Sequence, residues 1–186
     1  AQAATLPASR SIAPVAESVQ QQVRVEDKFA FATVKIRWSA LKDQRLPVLS
    51  SPAVLTRASF PTNALKWIEN PTGSGRRHEL LALQDGVFNI EFDYQLQPGA
   101  RGGESGFTLP THGGLVNELA LTLINLDVDI SAPSAVSLET RANSGSNTVA
   151  KLILSPVNDA WIGWKPRSRD TKREKAVFYA ELAQLY

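Results

Sequence analysis

The stretch Val87-Phe88-Asn89-Ile90-Glu91-Phe92-Asp93-Tyr94-Gln95-Leu96 decides the fold class. Phe88, Ile90, Phe92, Tyr94 and Leu96 fall on one side of a two-residue period, and Asn89, Glu91, Asp93 and Gln95 on the other. Wound as a helix, these aromatics would scatter around the cylinder; extended, they line one wall. The stretch therefore predicts an amphipathic β-strand with an aromatic core face.

The same period recurs on both sides of it. In Phe29–Trp38, Ala30, Ala32, Val34, Ile36 and Trp38 alternate with Phe29, Phe31, Thr33, Lys35 and Arg37. The two phenylalanines predict burial on both faces at the start of that strand and on one face later. Shorter strands are expected at Leu46–Leu49, Ala53–Phe60, Ala64–Glu69 and His78–Leu83. Later strands are expected at Phe107–Leu109, Glu118–Leu126, Asp127–Ser131, Val136–Thr140, Asn147–Leu154, Ala160–Lys165 and Val177–Leu185. Turn residues separate them, including Asn70-Pro71-Thr72-Gly73-Ser74-Gly75 and Gln84-Asp85-Gly86, whose Asp-Gly pair favours a hairpin. About a dozen short strands without a long helical pattern predict an all-β antiparallel sandwich. Residues 1–19 read as a flexible leader and 20–186 as the sandwich domain, with possible sub-lobes 20–97 and 105–186 joined by a mobile glycine-rich loop at Gly99–Gly106.

Composition excludes several classes of function. The 186 residues are 43% hydrophobic and 20% charged, with a net charge of +2, so no strong global field draws an acidic partner. With no cysteine there are no disulfides, thiolate metal sites or cysteine nucleophiles. The longest apolar run, Leu119–Leu126, is of strand length, so no membrane insertion by this segment is expected. The chain opens Ala1-Gln2-Ala3-Ala4, which suits the mature side of a signal-peptide cut, and ends on Tyr186 with no polar tail. Both ends predict an exported piece of something larger.

Candidate chemistry is sparse. His78 and His112 are the only histidines and neither has a ligand-spaced partner, so no metal and no cofactor is expected. Thr111-His112-Gly113-Gly114 has the look of an esterase oxyanion loop, but Gly103-Glu104-Ser105-Gly106 lacks the G-x-S-x-G spacing of a nucleophile elbow. The glycine-rich loop lacks the Lys-Ser/Thr pair of a phosphate cradle; Arg101 and Glu104 make it a candidate contact loop instead. Glu91 with Asp93, and Asp127 with Asp129, sit where strand alternation demands polar side chains, so neither pair predicts calcium binding or glycoside hydrolysis. Six Lys/Arg crowd residues 165–175, but Asp170 and Glu174 interrupt them, and a solvated connection rather than a nucleic-acid surface is expected. The tryptophans are the most informative side chains. Trp161 and Trp164 lie three apart, so a regular strand points them to opposite faces, and Trp67, Trp161 and Trp164 are the candidate binding residues.

Three stretches carry a family resemblance: Gly106-Phe107-Thr108-Leu109-Pro110, Glu118–Ile130, and Trp161-Ile162-Gly163-Trp164-Lys165-Pro166-Arg167. Together they resemble extracytoplasmic β-sandwich segments of large bacterial envelope proteins. The resemblance implies a multi-domain, membrane-anchored parent on the periplasmic or outer side, and it brings no catalytic residues. The expected function is a non-catalytic structural or interaction module whose partners are other domains of its own chain or envelope proteins. A carbohydrate-binding module using exposed tryptophan to hold a glycan is the alternative. An enzyme is not expected.

Overall fold

A computed structural model describes residues 15–73, 75–142 and 146–167. Among these residues there is no helix, and fourteen strands form three sheets. In chain order the strands are β1 (Ser18–Glu26), β2 (Phe29–Ala40), β3 (Arg45–Ser50), β4 (Val54–Ser59), β5 (Leu65–Thr72), β6 (Gly75–Ala82) and β7 (Gly86–Leu96). They continue as β8 (Gly99–Arg101), β9 (Glu104–Thr108), β10 (Val116–Leu123), β11 (Val128–Ser131), β12 (Ala135–Ala142), β13 (Thr148–Leu154) and β14 (Trp161–Pro166). The largest sheet has seven strands in the order β12-β13-β10-β1-β2-β7-β4; the others are β11-β14-β9-β8 and β3-β6-β5. The all-β sandwich predicted from alternation is what the chain forms.

The core lies on one face of the seven-stranded sheet. Val19, Val23 and Val25 of β1, the Ala30–Trp38 set of β2, the aromatic wall of β7 and Leu119, Leu121 and Leu123 of β10 are all buried, as are Phe107, Ile162 and Trp164 from the four-stranded sheet and Leu46, Leu65 and Leu80 from the three-stranded sheet. Strand β7 carries the aromatic packing between the seven- and three-stranded sheets: Phe92 meets Trp67 of β5 edge-on at 6.0 Å, and Phe88 meets Trp38 of β2 at 6.3 Å. The charged alternate positions of β7 face outward, where Arg57 of β4 bridges Glu91 and Asp93 at 2.6 Å each. That guanidinium holds the Asp93 carboxyl below the usual carboxylate range.

Five expectations need correction. Residues 16–19 are not flexible leader: Ala16 and Val19 are buried and β1 begins at Ser18, while residues 1–14 lie outside the described residues. Strand β1 escapes a pattern search because Gln21 occupies an inward position between Val19 and Val23. Its amide is nonetheless satisfied, donating to Thr111 Oγ1 at 2.9 Å and accepting from the Tyr94 hydroxyl at 3.2 Å. Strand β1 also pairs in parallel with β10, which joins strands from 18–96 to strands from 116–154 in one sheet. Second, Asp85-Gly86 is not a hairpin turn, because β6 belongs to the three-stranded sheet and β7 to the seven-stranded one. Third, Phe29 and Phe31 are exposed, so β2 alternates along its whole length. Fourth, the glycine-rich loop is itself ordered as a β8–β9 hairpin in which Arg101 stands opposite Glu104. Fifth, β6 begins at Gly75 rather than at His78, so Arg76 and Arg77 belong to the strand and His78 lies in its interior. The expected strand Val177–Leu185 and the basic run beyond Arg167 lie outside the described residues.

Candidate functional site

The outer face of the four-stranded sheet is built around a row of small residues. Antiparallel register sets Ser131 of β11 opposite Gly163 of β14, Gly163 opposite Gly106 of β9, and Gly106 opposite Gly99 of β8. Directly opposed residues share a face, so this row is a strip of nearly bare backbone crossing the sheet. Trp161, two residues before Gly163, projects on the same face and folds over the strip. A Cβ on Gly106 would stand 2.7 Å from Trp161 Cζ2, and one on Gly163 would stand 2.6 Å from Trp161 Nε1. Neither position leaves room for a side chain beneath the indole.

Around the indole the strip is closed by charge. The Arg101 guanidinium lies 5.6 Å from the centroid of the Trp161 ring, within cation–π range. Glu104 Oε2 lies 2.6 Å from where a Gly163 Cβ would be, the same distance as the indole nitrogen. Ser131, Ser134 and Asp159 complete a groove of about 400 Å³ against Arg101, Glu104 and Trp161. Asp159 holds a left-handed backbone (φ 62°) just before β14. The groove thus offers an aromatic surface, one cation, two carboxylates and two hydroxyls, a set suited to holding a polar ligand or a partner's side chains.

Of the five candidate residues, three come together here: Trp161, Arg101 and Glu104. The other two do not. Trp164 is 6% exposed and packs edge-on against Phe107 at 6.1 Å, so it is a core residue rather than a binding residue. Trp67 is half-buried: it stacks on Phe60 at 5.7 Å and donates from Nε1 to His78 Nδ1 at 3.1 Å, bracing the three-stranded sheet against β7. The opposite-face rule for Trp161 and Trp164 correctly separates a groove residue from a core residue, but only the structure says which is which. Sequence reading missed Asp159, Ser131 and Ser134, which come from three different connections and strand ends, and it missed the glycine row, whose members are adjacent only across strands.

The hydrolase candidates do not converge. His112 pairs through Nδ1 with Asn158 Oδ1 at 3.1 Å, while Ser105 lines a different groove with Asp27 and Gln97. Burial holds the His112 imidazole below its usual pKa. The Asp127 and Asp129 carboxylates are taken by Arg167 at 3.0 and 3.2 Å. Among the described residues no three His, Asp or Glu side chains cluster in a way that suits a metal ion.

A scan against protein-family models finds no match, and a search of curated proteins finds none. Among solved structures, the fold is similar to a two-domain M1 zinc metallopeptidase, with a TM-score of 0.54 and 12% identity over 82% of this chain. An M1 zinc metallopeptidase from Deinococcus radiodurans matches with a TM-score of 0.52 and 12% identity over the same share. The likeness is one of fold. In both cases this chain spans 42% of the longer protein.

Proposed function

We propose that this chain is a non-catalytic β-sandwich module of a longer, exported protein, and that it contacts neighbouring domains or envelope components through the Trp161 groove. The observation that carries this reading is the glycine row. Gly106 and Gly163, facing each other on adjacent strands, seat one half-buried tryptophan, Gly99 extends the row onto β8, and Arg101 and Glu104 stand beside the indole on the outer face of the sheet. A strand interior gains nothing from glycine for its own stability, so such a row marks close approach of another group. Support also comes from the similar solved structures, in which a fold of this kind makes up less than half of a longer chain.

A direct test is to purify the chain, measure its cooperative unfolding, and assay it against fluorogenic aminoacyl amides and acyl esters with and without added zinc. Cooperative folding without turnover is expected; turnover lost on substitution of any groove residue would refute the non-catalytic reading. Location is tested in the parent cell by protease accessibility of spheroplasts, where an exported module is cleaved and a cytoplasmic one is protected. Glycan binding is a second reading, favoured specifically by Trp161 standing beside carboxylates and hydroxyls in the same groove. It predicts that soluble envelope oligosaccharides shift the tryptophan emission of the wild type and leave Trp161→Ala unchanged.

A further inference from the structure

We infer that strand β12 is a self-association edge, through which two copies of this chain pair antiparallel about Thr140. Strand β12 is the outermost strand of the seven-stranded sheet, and among the described residues it pairs with β13 alone. Sheet edges are normally blunted by charged side chains, lysine above all, by proline, by short length or by a bulge, and the only charges on β12, Glu139 and Arg141, are of opposite sign. The opposite edge, β4, has six residues and a register shift in its middle, at Leu55/Arg57. Strand β12 has eight residues with neither lysine nor proline, and its one register shift lies at its start, between Ala135 and Ser137. Beyond that shift, which leaves Val136 unpaired, the edge runs regularly from Ser137, with Leu138, Glu139, Thr140 and Arg141 all exposed.

The occupant follows from charge complementarity in register. Glu139 is opposite Lys151 and Arg141 is opposite Val149 on β13, so both lie on the outer face of the sheet and both are exposed. A two-fold axis through Thr140 sets Glu139 of each copy opposite Arg141 of the other, giving two cross-strand ion pairs from one sequence. An axis through Glu139 opposes like carboxylates, and one through Leu138 sets Glu139 against Ser137. Only the Thr140 register uses both charges, and opposite charges facing one another stabilise a strand pair whereas like charges oppose it. The resulting row reads Lys151, Glu139, then Arg141 of the second copy, with alternating sign. A closed two-fold contact of this kind is self-complementary and does not propagate into fibres.

The test is sedimentation equilibrium of the whole chain from micromolar to several hundred micromolar, with amide exchange read along β12. A reversible dimer is expected, with exchange at residues 138–141 slowing as concentration rises. Glu139→Arg and Arg141→Glu should each weaken the dimer by about tenfold or more, and the double exchange E139R/R141E should restore it. Because both side chains are exposed, the variants should keep the wild-type circular dichroism; if either does not, Thr140→Pro, which blocks edge pairing at the axis, replaces it and should also abolish the dimer. A chain that stays monomeric throughout the range, or a dimer indifferent to these changes, overturns the inference.

Discussion

Replacing Gly106 with alanine tests the packing of the candidate site, with Gly163→Ala as its control. The two glycines face each other across β9 and β14 and both lie beneath the Trp161 indole, yet an added methyl meets different atoms at each. At Gly106 it falls on the Ile162 carbonyl oxygen and 2.8 Å from Gly163 Cα, both backbone, as well as on Trp161 Cζ2. The strands have to separate, losing about two ladder hydrogen bonds at ~1 kcal/mol each on top of ~1–3 kcal/mol of overpacking strain. Reduced freedom of the unfolded chain returns ~0.4–1 kcal/mol, leaving a loss of about 3 kcal/mol. At Gly163 the methyl meets side-chain atoms alone, Glu104 Oε2 and Trp161 Nε1 at 2.6 Å and Trp161 Cε2 at 3.4 Å, and both side chains can turn away because no backbone blocks them. Its net effect should stay within about 1 kcal/mol of wild type, because the same entropic gain offsets the displaced contacts.

Urea unfolding followed by circular dichroism measures both effects, and a melting shift of roughly 6–12 °C should separate G106A from wild type at this chain length. Adding Trp161→Ala removes the indole. It should restore G163A to the stability of W161A alone while leaving most of the G106A deficit, because that deficit comes from backbone. If G106A lies within 1 kcal/mol of wild type, or Trp161→Ala rescues it fully, the strip is not the rigid floor that the register implies.

Other consequences are equally specific. Trp164→Ala should cost about 3–5 kcal/mol in chemical unfolding and Trp161→Ala under about 1, since one side chain fills the core and the other lies at its surface. Tyr94→Phe should cost about 1–2 kcal/mol by leaving the buried Gln21 acceptor unpaired. Burial raises the Tyr94 phenol above its usual pKa near 10, so above that pH the unfolded chain gives up this proton first and stability falls as pH rises. Tyr94→Phe should flatten that alkaline limb in pH-dependent melting. His112 has the opposite sense: its lowered pKa means that the unfolded chain binds the proton more readily, so stability should fall as pH drops through 6.5, and His112→Gln should lessen the fall.

Alternation alone was enough to read the class of fold, because a half-buried strand must turn apolar side chains inward at every second residue. The aromatic wall of β7 and the alanine-valine wall of β2 are legible for that reason. Strand β1 was not, because a single inward glutamine breaks the pattern, and its compensation by Tyr94 and Thr111 comes from residues 73 and 90 positions away. The Asp85-Gly86 turn misled for a related reason: local turn chemistry does not say which sheet receives the next strand. Sequence spacing established that Trp161 and Trp164 face opposite ways. Tertiary structure decided that Trp164 joins Phe107 in the core while Trp161 lies over Gly106 and Gly163, with Arg101 and Glu104 beside it. That assignment depends on strand register, and register is fixed by the packing of whole sheets rather than by any one strand.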